Sequence, residues 1–492
     1  MKQKAPFLTG FPSKLFGSAK RKLQDIFSKK RRTLIEGTLD IQQQFMEEID
    51  VQLLERHSTT KRVRSYPDHL TFWAFFLQVA SDDASCAAAV ANVQAWAEGR
   101  GLPVPGSNTS SYCEARATLP VEMLRAVNDS LYDQLDGLLP RDRHWRGLRP
   151  RAVDGTTAQM PDTLANRAVY PYPSGHKEGC GFPRVRLNGL IDLSHGGLRE
   201  FSNCSMRTSE LRNHDSLESE HLREGDVLIA DRLYSAYELI ERLRSKGVHF
   251  IGRTHQARKI DFRKGQNISA NERLLTWKKS PHPSKGSQLN QAQWDAVEDE
   301  LTVRIIRYKG PDREGKQRTR YLVTTLLDGM SYPAEEVASL YFHRWEIEVR
   351  FRDIKSTLGM DMLRTKSPEM IEKELLMNLI VYNLMRLVML KAGTANGVNH
   401  RRLSFRGTQQ VIHAWRERFQ KLVLRPKLRA QQRIAMWAQI AMRFVTERPG
   451  RNEPRRVKRR PKCSRWLQKP RHQYFEYFRC DNPPTKILDA TA

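Results

Sequence analysis

The pattern of apolar and polar positions changes character near residue 145. Before that point, apolar residues recur every three or four positions, as between Phe45 and Leu54, and the segment from Leu70 to Ala80 is apolar enough to be buried. This spacing is typical of helices packed on one another. We therefore predict a small helical domain over residues 1–145.

After residue 145 the chain changes to short apolar runs bounded by turn residues, which predict strands. The five predicted strands are Pro150–Thr157, Val185–Leu193, Leu198–Cys204, Asp226–Ala230 and Val248–Gly252. The sequence Ser-His-Gly-Gly between the second and third runs favours a hairpin turn, and helical patterns separate the later runs. Connections through helices predict a mixed sheet with helices packed on it, which is an α/β architecture.

Residues 261–330 interrupt this pattern with a polar, turn-rich stretch that holds two strand-like runs, residues 301–308 and 321–327. We predict a β-rich insertion there, which splits the core into residues 146–260 and 331–400. Pro333 then begins a helix that we expect to run unbroken to about Leu358. Residues 401–492 are predicted as a helical region with a basic tail.

The chain is strongly basic, with 83 Lys and Arg against 55 Asp and Glu over 492 residues, a net charge of +28. Two dense runs, Lys20–Arg32 and Arg451–Arg471, have net charges of +6 and +9, and the remainder is dispersed. This distribution predicts nucleic acid as the partner, contacted through its phosphates. There is no run of eighteen apolar residues, so we expect no membrane span and a cytoplasmic protein.

Two aspartates stand at or just past the carboxyl ends of predicted strands: Asp154 begins the Asp-Gly-Thr-Thr sequence in which the first strand ends, and Asp231 follows the fourth. Ligands of open α/β sheets bind beyond the carboxyl ends of the strands, and carboxylates there suit Mg²⁺. A single aspartate in such a place is more often a turn or helix cap. The pair becomes a candidate site only with a third group.

The predicted helix after Pro333 supplies that group. Tyr341, Arg344, Glu348 and Lys355 stand at offsets of 0, 3, 7 and 14. At about 100° per residue they fall within an arc of roughly 60°. Glu346 lies more than about 100° away on the same construction, so the geometry selects Glu348. An ordinary solvated helix face with an ion pair has the same spacing, so the pattern alone leaves both interpretations open.

Tyr-x2-Arg-x3-Glu-x6-Lys, the spacing of these four residues, resembles the signature of the "insertion sequence 4" family of bacterial DDE transposases. RAVDGTT around Asp154 and VLIADRLY around Asp231 resemble the family's two catalytic aspartate motifs. GFPRVRLNGLID and SFRG resemble its second strand and its C-terminal part. The resemblance covers about residues 100–425.

The resemblance implies an RNase H-like fold with a β-rich insertion, and an enzyme that cuts transposon ends and joins them to target DNA. Asp154, Asp231 and Glu348 would be both the catalytic residues and the ligands of two Mg²⁺ ions, for which Mn²⁺ can substitute. The implied partner is double-stranded DNA, as terminal inverted repeats and as target. The family also implies a homodimer in the synaptic complex, and residues 1–145 as the DNA-binding domain.

The same pattern assigns Tyr341, Arg344 and Lys355 to the phosphates of the transposon end. Arg184 and Arg186 alternate with apolar residues on the second strand. They are candidates for a DNA groove and equally for a solvated strand edge.

Tryptophans of the insertion are candidates for stacking on a flipped base, as the resemblance implies. Trp277 and Trp294 both lie there, and each has the alternative of anchoring a small β core. Trp345 is expected to pack against the sheet.

Two other functions remain open at the level of sequence. A non-catalytic DNA-binding regulator derived from a transposase would bind specific sequences without metal-dependent products. An RNase H-like nuclease would hydrolyse nucleic acid without joining 3′-hydroxyls.

Overall fold

The computed structural model describes residues 48–60, 64–81, 83–139, 144–173, 181–208, 221–284, 287, 289–311, 317–420 and 425–445. The two dense basic runs, Lys20–Arg32 and Arg451–Arg471, lie outside the described residues. The chain forms two compact units, residues 1–130 with 409–439, and residues 131–408 with 440–492. These units cut across the segments expected from sequence, whose boundaries stay a prediction.

The first unit is helical in its described part. Its helices are α1 Val51–Arg56, α2 Asp68–Ala80, α3 Cys86–Glu98, α4 Ser110–Thr118, the start of α5 Val121–Gly137, most of α12 Phe405–Gln420, and α13 Pro426–Ala441. Helix α2 is buried along its whole length, as predicted for residues 70–80. Its Gln78 Oε1 accepts hydrogen bonds from the Tyr112 hydroxyl (2.6 Å) and from Arg116 Nη1 (3.0 Å), which joins α2 to α4.

The second unit is built on a nine-stranded mixed sheet. Its strands are β1 Arg149–Gln159, β2 Arg184–Asp192, β3 Leu198–Ser205, β4 Asp226–Ala230, β5 His249–Arg253, β6 Gln266–Ser269, β7 Glu272–Lys278, β8 Glu300–Pro311 and β9 Gln317–Thr324. The spatial order is β3-β2-β1-β4-β5-β9-β8-β7-β6. Among the strand pairs of the described residues, β1–β4 and β4–β5 are parallel and the others are antiparallel. The prediction of an α/β protein with a mixed sheet is confirmed, and β1 to β5 begin and end within two residues of the predicted strands.

The insertion extends the core sheet rather than forming a separate layer. Its last strand, β9, pairs antiparallel with β5. The strands β8 and β9 were predicted, whereas β6 and β7 were not. Arg304 of β8 is fully buried; it pairs with Glu272 of β7 and donates to the Tyr332 carbonyl (2.6 Å). This side chain ties the insertion to the loop that leads into the next helix.

Helices cover the sheet and carry the chain between strands: α6 Leu164–Val169, α7 Tyr237–Ser245, α8 Gln291–Asp295, α9 Ala334–Phe342, α10 Trp345–Arg352 and α11 Pro368–Ala395. A π-helical turn, Asp353–Thr357, follows α10. The prediction of one unbroken helix from Pro333 to Leu358 is therefore wrong, because the chain breaks between α9 and α10.

Helix α11 is the core helix of the second unit. Asn383 pairs with both backbone groups of Leu198, accepting from its N–H (3.0 Å) and donating to its carbonyl (2.8 Å). Arg386 donates to the carbonyl of His195 in the β2–β3 turn (2.8 Å). In the described part of the chain, α11 alone is long and apolar enough to cross a bilayer, and 94% of its most apolar window is buried inside the protein.

Candidate active site

The pairing of β1 with β4 brings two aspartates to one edge of the sheet. The parallel register runs from Arg149 opposite Asp226 to Ala152 opposite Ile229. Asp154 and Asp231 each stand two residues further on, so their side chains leave neighbouring chains on the same face. Asp231 directly follows β4, as predicted. Strand β1, however, continues five residues beyond Asp154 because it pairs with β2 as far as Gln159, so Asp154 is not at a strand end.

Arg344 joins a carboxylate of the sheet to a carboxylate of α10. Its Nη1 donates to Asp154 Oδ2 (3.1 Å), and its Nη2 donates to Glu348 Oε1 (3.4 Å). Burial lowers the pKa of Arg344, but the Tyr341 phenol and the two carboxylates outweigh that effect, and the net pKa is raised. A cation therefore already lies between the two carboxylates, which are remote from each other in sequence.

The other two residues of the motif contact the same surroundings. Lys355 Nζ donates to Thr156 Oγ1 (3.3 Å), and Thr156 lies two residues after Asp154 on the same face of β1. Burial lowers the pKa of the Lys355 ammonium. Tyr341 is buried, which raises its pKa, and its hydroxyl bonds to Arg344. The structure thus brings Arg344 and Lys355 to β1 and Glu348 to Arg344, with Tyr341 bonded to Arg344.

This alignment does not come from the straight helix that the spacing suggested. Between α9 and α10 the backbone forms hydrogen bonds between residues three apart, as in a 3₁₀-helix. The His343 N–H donates to the Leu340 carbonyl (3.1 Å), and the Arg344 N–H donates to the Tyr341 carbonyl (3.0 Å). Lys355 lies in the π-helical turn, where each turn holds more residues than an α-helix. The 100° rotation per residue of an ideal α-helix therefore does not hold before α10, where Tyr341 lies, or after it, where Lys355 lies.

Comparison with known proteins identifies the domain that carries this site. The family model described as "Transposase DDE domain" matches residues 145–384. Residues 145–384 of this chain are therefore similar to a transposase DDE domain. The match spans the sheet, the insertion and the helices α9 and α10, and it confirms the relationship that the motif predicted.

Curated relatives agree with the DDE domain. The chain is 28% identical to "Transposase InsG for insertion sequence element IS4" of Escherichia coli K12, over 57% of this chain and 61% of that protein. It is 24% identical to "Transposase for insertion sequence element IS231F" of Bacillus thuringiensis subsp. israelensis, over 49% of this chain and 57% of that protein. The chain thus spans about three-fifths of the length of these relatives. A DDE domain implies DNA as a partner and a divalent metal as cofactor.

The donors at the sheet edge of the DDE domain fit a divalent cation. Asp154 and Glu348 present carboxylate oxygens to the guanidinium of Arg344, and Asp231 stands in register with Asp154. Oxygen ligands of this kind suit a hard cation such as Mg²⁺.

A tighter cluster of metal-ligand type lies elsewhere in the domain. In the described residues, the single group of three with ligand atoms all within 4.8 Å is Asp136, Asp192 and His195, so the predicted triad stands further apart. Arg149 bonds to Asp136 and, through Nε, to Asp192 Oδ2 (2.5 Å). Burial raises the pKa of Asp192, but His195, Arg151 and Arg149 outweigh it and hold the pKa well below its ordinary value. Guanidinium groups therefore balance this cluster, which ties α5 to the sheet.

Arg184 and Arg186 lie on β2 opposite Gln159 and Thr157. This register puts them on the sheet face opposite to Asp154, because side chains alternate along a strand. Both are half-buried. Their predicted role in DNA binding stays a prediction.

The two tryptophans of the insertion are both buried in the domain core. The Arg258 guanidinium lies 3.7 Å from the centre of the Trp277 ring. Trp294 packs edge-on against Tyr237 and donates to the Ser280 carbonyl (2.8 Å). These are the core contacts expected as the alternative, and base stacking by either residue stays a prediction. Trp345 was expected to pack against the sheet, and this is wrong because 61% of its surface is exposed.

A second set of contacts, at the start of α10, was not predicted from the sequence. The Glu346 carboxylate accepts from His343 Nδ1 (3.0 Å), from Arg350 Nη2 (3.3 Å) and from Arg401. Arg350 could have been paired with Glu346 from their four-residue spacing. Arg401 comes from the turn after α11, and no local pattern links it to α10.

Proposed function

We propose that this protein is a DNA transposase that cleaves transposon ends and joins them to target DNA by in-line phosphoryl transfer. The observation that carries the proposal is the Arg344 bridge between Asp154 and Glu348, beside Asp231 in parallel register. The strand order β3-β2-β1-β4-β5 supports an RNase H-like core for this chemistry.

Asp154, Asp231 and Glu348 would hold two Mg²⁺ ions, for which Mn²⁺ can substitute. Such ions, when bound, lower the pKa of the attacking water or 3′-hydroxyl and stabilise the leaving oxygen. The chain's own contribution is position and charge. Asp154 of β1, Asp231 after β4 and Glu348 of α10 would supply that position from three separate elements of the chain.

Tyr341, Arg344 and Lys355 would bind the phosphates of the transposon end. Arg344 supports this role, because a guanidinium that spans two carboxylates becomes available to a phosphate once metal ions neutralise them. Arg184, Arg186, Trp277 and Trp294 remain candidates for further DNA contacts. The net charge of +28 supports a long phosphate footprint.

The proposed partners are terminal inverted repeats and target DNA, with a homodimer as the synaptic form. We propose a cytoplasmic protein associated with the nucleoid, since its substrate would be chromosomal. The names of the relatives, which are transposases of insertion sequences, support this substrate.

The test is a cleavage and joining assay with the full chain and the DNA that flanks its coding region. Asp154→Asn, Asp231→Asn and Glu348→Gln should each abolish Mg²⁺-dependent cleavage and leave DNA affinity within a few fold. The matched control is Glu335→Gln, an exposed carboxylate of α9. Persistent cleavage by Glu348→Gln would refute the assignment. Specific binding without products would identify a regulator, and hydrolysis without joining would identify a nuclease.

A further inference from the structure

The start of α10 carries two glutamates with different surroundings. Glu346 and Glu348 are two residues apart, so they leave the helix about 200° from each other, on nearly opposite sides. Glu348 faces Arg344 and the sheet edge. Glu346 faces His343, Arg350 and Arg401. Whatever fixes Glu346 therefore also fixes the rotation of α10 that directs Glu348.

The backbone before α10 does not fix this rotation by itself. Backbone hydrogen bonds between residues three apart connect α9 to α10. They include the Glu346 N–H to the His343 carbonyl (2.9 Å) and the Ile347 N–H to the Arg344 carbonyl (3.1 Å). A continuous α-helix would transmit the orientation of α9 directly, whereas this tight turn is a separate joint. Side-chain contacts are therefore needed to define where α10 points.

Arg401 provides a contact that is anchored outside this joint. It lies in the 3₁₀ turn His400–Arg402, where Asn399 Oδ1 accepts from its backbone N–H (3.0 Å). His400 Nε2 bonds to the Ser194 carbonyl of the β2–β3 turn (3.1 Å). Before the turn, Val398 N–H bonds to Gly393 at the end of α11 (2.8 Å). The position of Arg401 is thus set by α11 and by the sheet.

The packing at the end of α11 leaves little freedom in this anchor. A Cβ added at Gly393 would lie 2.7 Å from the Val398 carbonyl oxygen, which is closer than real contacts. Glycine is required there because the turn that carries Arg401 crosses directly over α11. The turn His400–Arg402 therefore cannot move toward α11 without displacing the backbone at the end of that helix.

Helix α10 is consequently tied to one sheet at two points on opposite sides. On one side Arg344 reaches Asp154 of β1. On the other side Glu346 reaches Arg401, whose turn is bonded to the connection after β2, the strand that pairs with β1.

We propose that Arg401 is a positioning residue of the transposase site: its ion pair with Glu346 holds α10 in the rotation that directs Glu348 and Arg344 at Asp154. This inference rests on the proposed function, because it assigns Arg401 to the same reaction. A merely structural pair predicts something else, since a partly exposed ion pair contributes little to global stability and would leave metal binding unchanged.

The experiment compares the full-length wild type with Arg401→Ala, Arg401→Lys, Glu346→Gln and the double variant. The matched control is Arg402→Ala, which removes the same charge from the same turn on its exposed side. Two quantities are measured. One is Mn²⁺ affinity of the DNA-free protein by electron paramagnetic resonance, and the other is the rate of end cleavage at saturating DNA.

We expect Arg401→Ala to weaken Mn²⁺ binding and to slow cleavage by about 10- to 100-fold, as small misplacements of reacting groups do. DNA affinity and the thermal midpoint should stay close to those of the wild type. Arg401→Lys should restore part of both losses. The double variant should be no worse than the worse single variant, because both changes break one contact.

Wild-type Mn²⁺ affinity and cleavage in Arg401→Ala would overturn the proposal, as would equal losses in Arg402→Ala. If Arg401→Ala does not fold, Arg401→Lys and Glu346→Gln decide by the same two measurements. If the wild type does not cleave DNA at all, the proposed function fails. Mn²⁺ affinity then still decides the role of Arg401, since that measurement needs no reaction.

Discussion

The Arg344 guanidinium acts as an internal cation of the site, and replacing it separates metal binding from catalysis. Arg344→Gln keeps a polar side chain but shortens it, and removes the positive charge from Asp154 and Glu348. A divalent ion no longer has to displace or approach that charge. We expect Arg344→Gln to bind Mn²⁺ more tightly than the wild type, and to cleave DNA more slowly because a phosphate contact is lost.

The magnitude follows from the two contacts, at 3.1 and 3.4 Å. Unit charges about 3 Å apart attract by about 1 kcal/mol in water and about 5 kcal/mol at an effective dielectric constant near 20. The Glu348 side chain is 43% exposed and that of Asp154 is 23% exposed, so the lower figure applies. About 1 kcal/mol for each of the two contacts, about 2 kcal/mol together, corresponds to a gain in Mn²⁺ affinity of about thirtyfold.

The assay is a titration of Mn²⁺ into the DNA-free protein at low ionic strength, with end cleavage measured on the same preparations. Arg352→Gln is the matched control, because it removes an arginine from the exposed side of α10. Weaker or unchanged Mn²⁺ binding in Arg344→Gln would refute the reasoning. Tighter binding without loss of cleavage would refute the phosphate contact alone.

Three further predictions concern the framework of the site. Glu346→Gln should lower the free energy of unfolding by about 1 kcal/mol at neutral pH. Because the folded pKa of Glu346 is depressed from 4.5 to about 2, this difference should be complete above about pH 4.5 and disappear as the pH falls toward 2. Asn383→Ala should cost about 2–4 kcal/mol in denaturant unfolding, because the buried N–H and carbonyl of Leu198 lose their partner. Gly189→Ala should cost about 1–3 kcal/mol and slow cleavage, because the new Cβ would lie 2.9 Å from the Phe351 ring of α10.

Each of these predictions has a control or a contrary outcome. If the difference in unfolding free energy between Glu346→Gln and the wild type persists at pH 2, the partners of Glu346 do not lower the pKa of its carboxylate. For Gly189→Ala the control is Gly106→Ala, where an added Cβ meets nothing within 4 Å. An Asn383→Ala protein as stable as the wild type would mean that water replaces the amide in the core.

The strands of the core could be predicted because their signals are local. The residues of buried runs such as Val227–Ala230, and of the turn before Leu198, themselves indicate where each strand begins and ends. The observed strand ends lie within two residues of those predicted. The candidate carboxylates could be found for a related reason. Asp231 directly follows a buried strand, and the motif around Glu348 has a fixed spacing.

The errors share a different physical origin. The break between α9 and α10 coincides with contacts from Arg401, which lies more than 50 residues later in the chain. The spacing of residues within one helix cannot predict such a long-range contact. Asp154 was placed at a strand end because the apolar run fades near it, whereas pairing with β2 carries β1 on to Gln159. The missed strand β6 is short and polar because it lies at the outer edge of the sheet. Strand β7 combines its apolar residues with charged and polar ones, so it has no long continuous apolar run.

The continuity of the sheet through β9 means that the insertion is not a removable module. Strand β5 lies between β4 and β9, and it would present an unpaired edge of five residues if the insertion were deleted. Open edges of apolar strands recruit other chains. A truncated form of this protein is therefore expected to self-associate, and shorter homologues must cover the same strand with some other part of their chain.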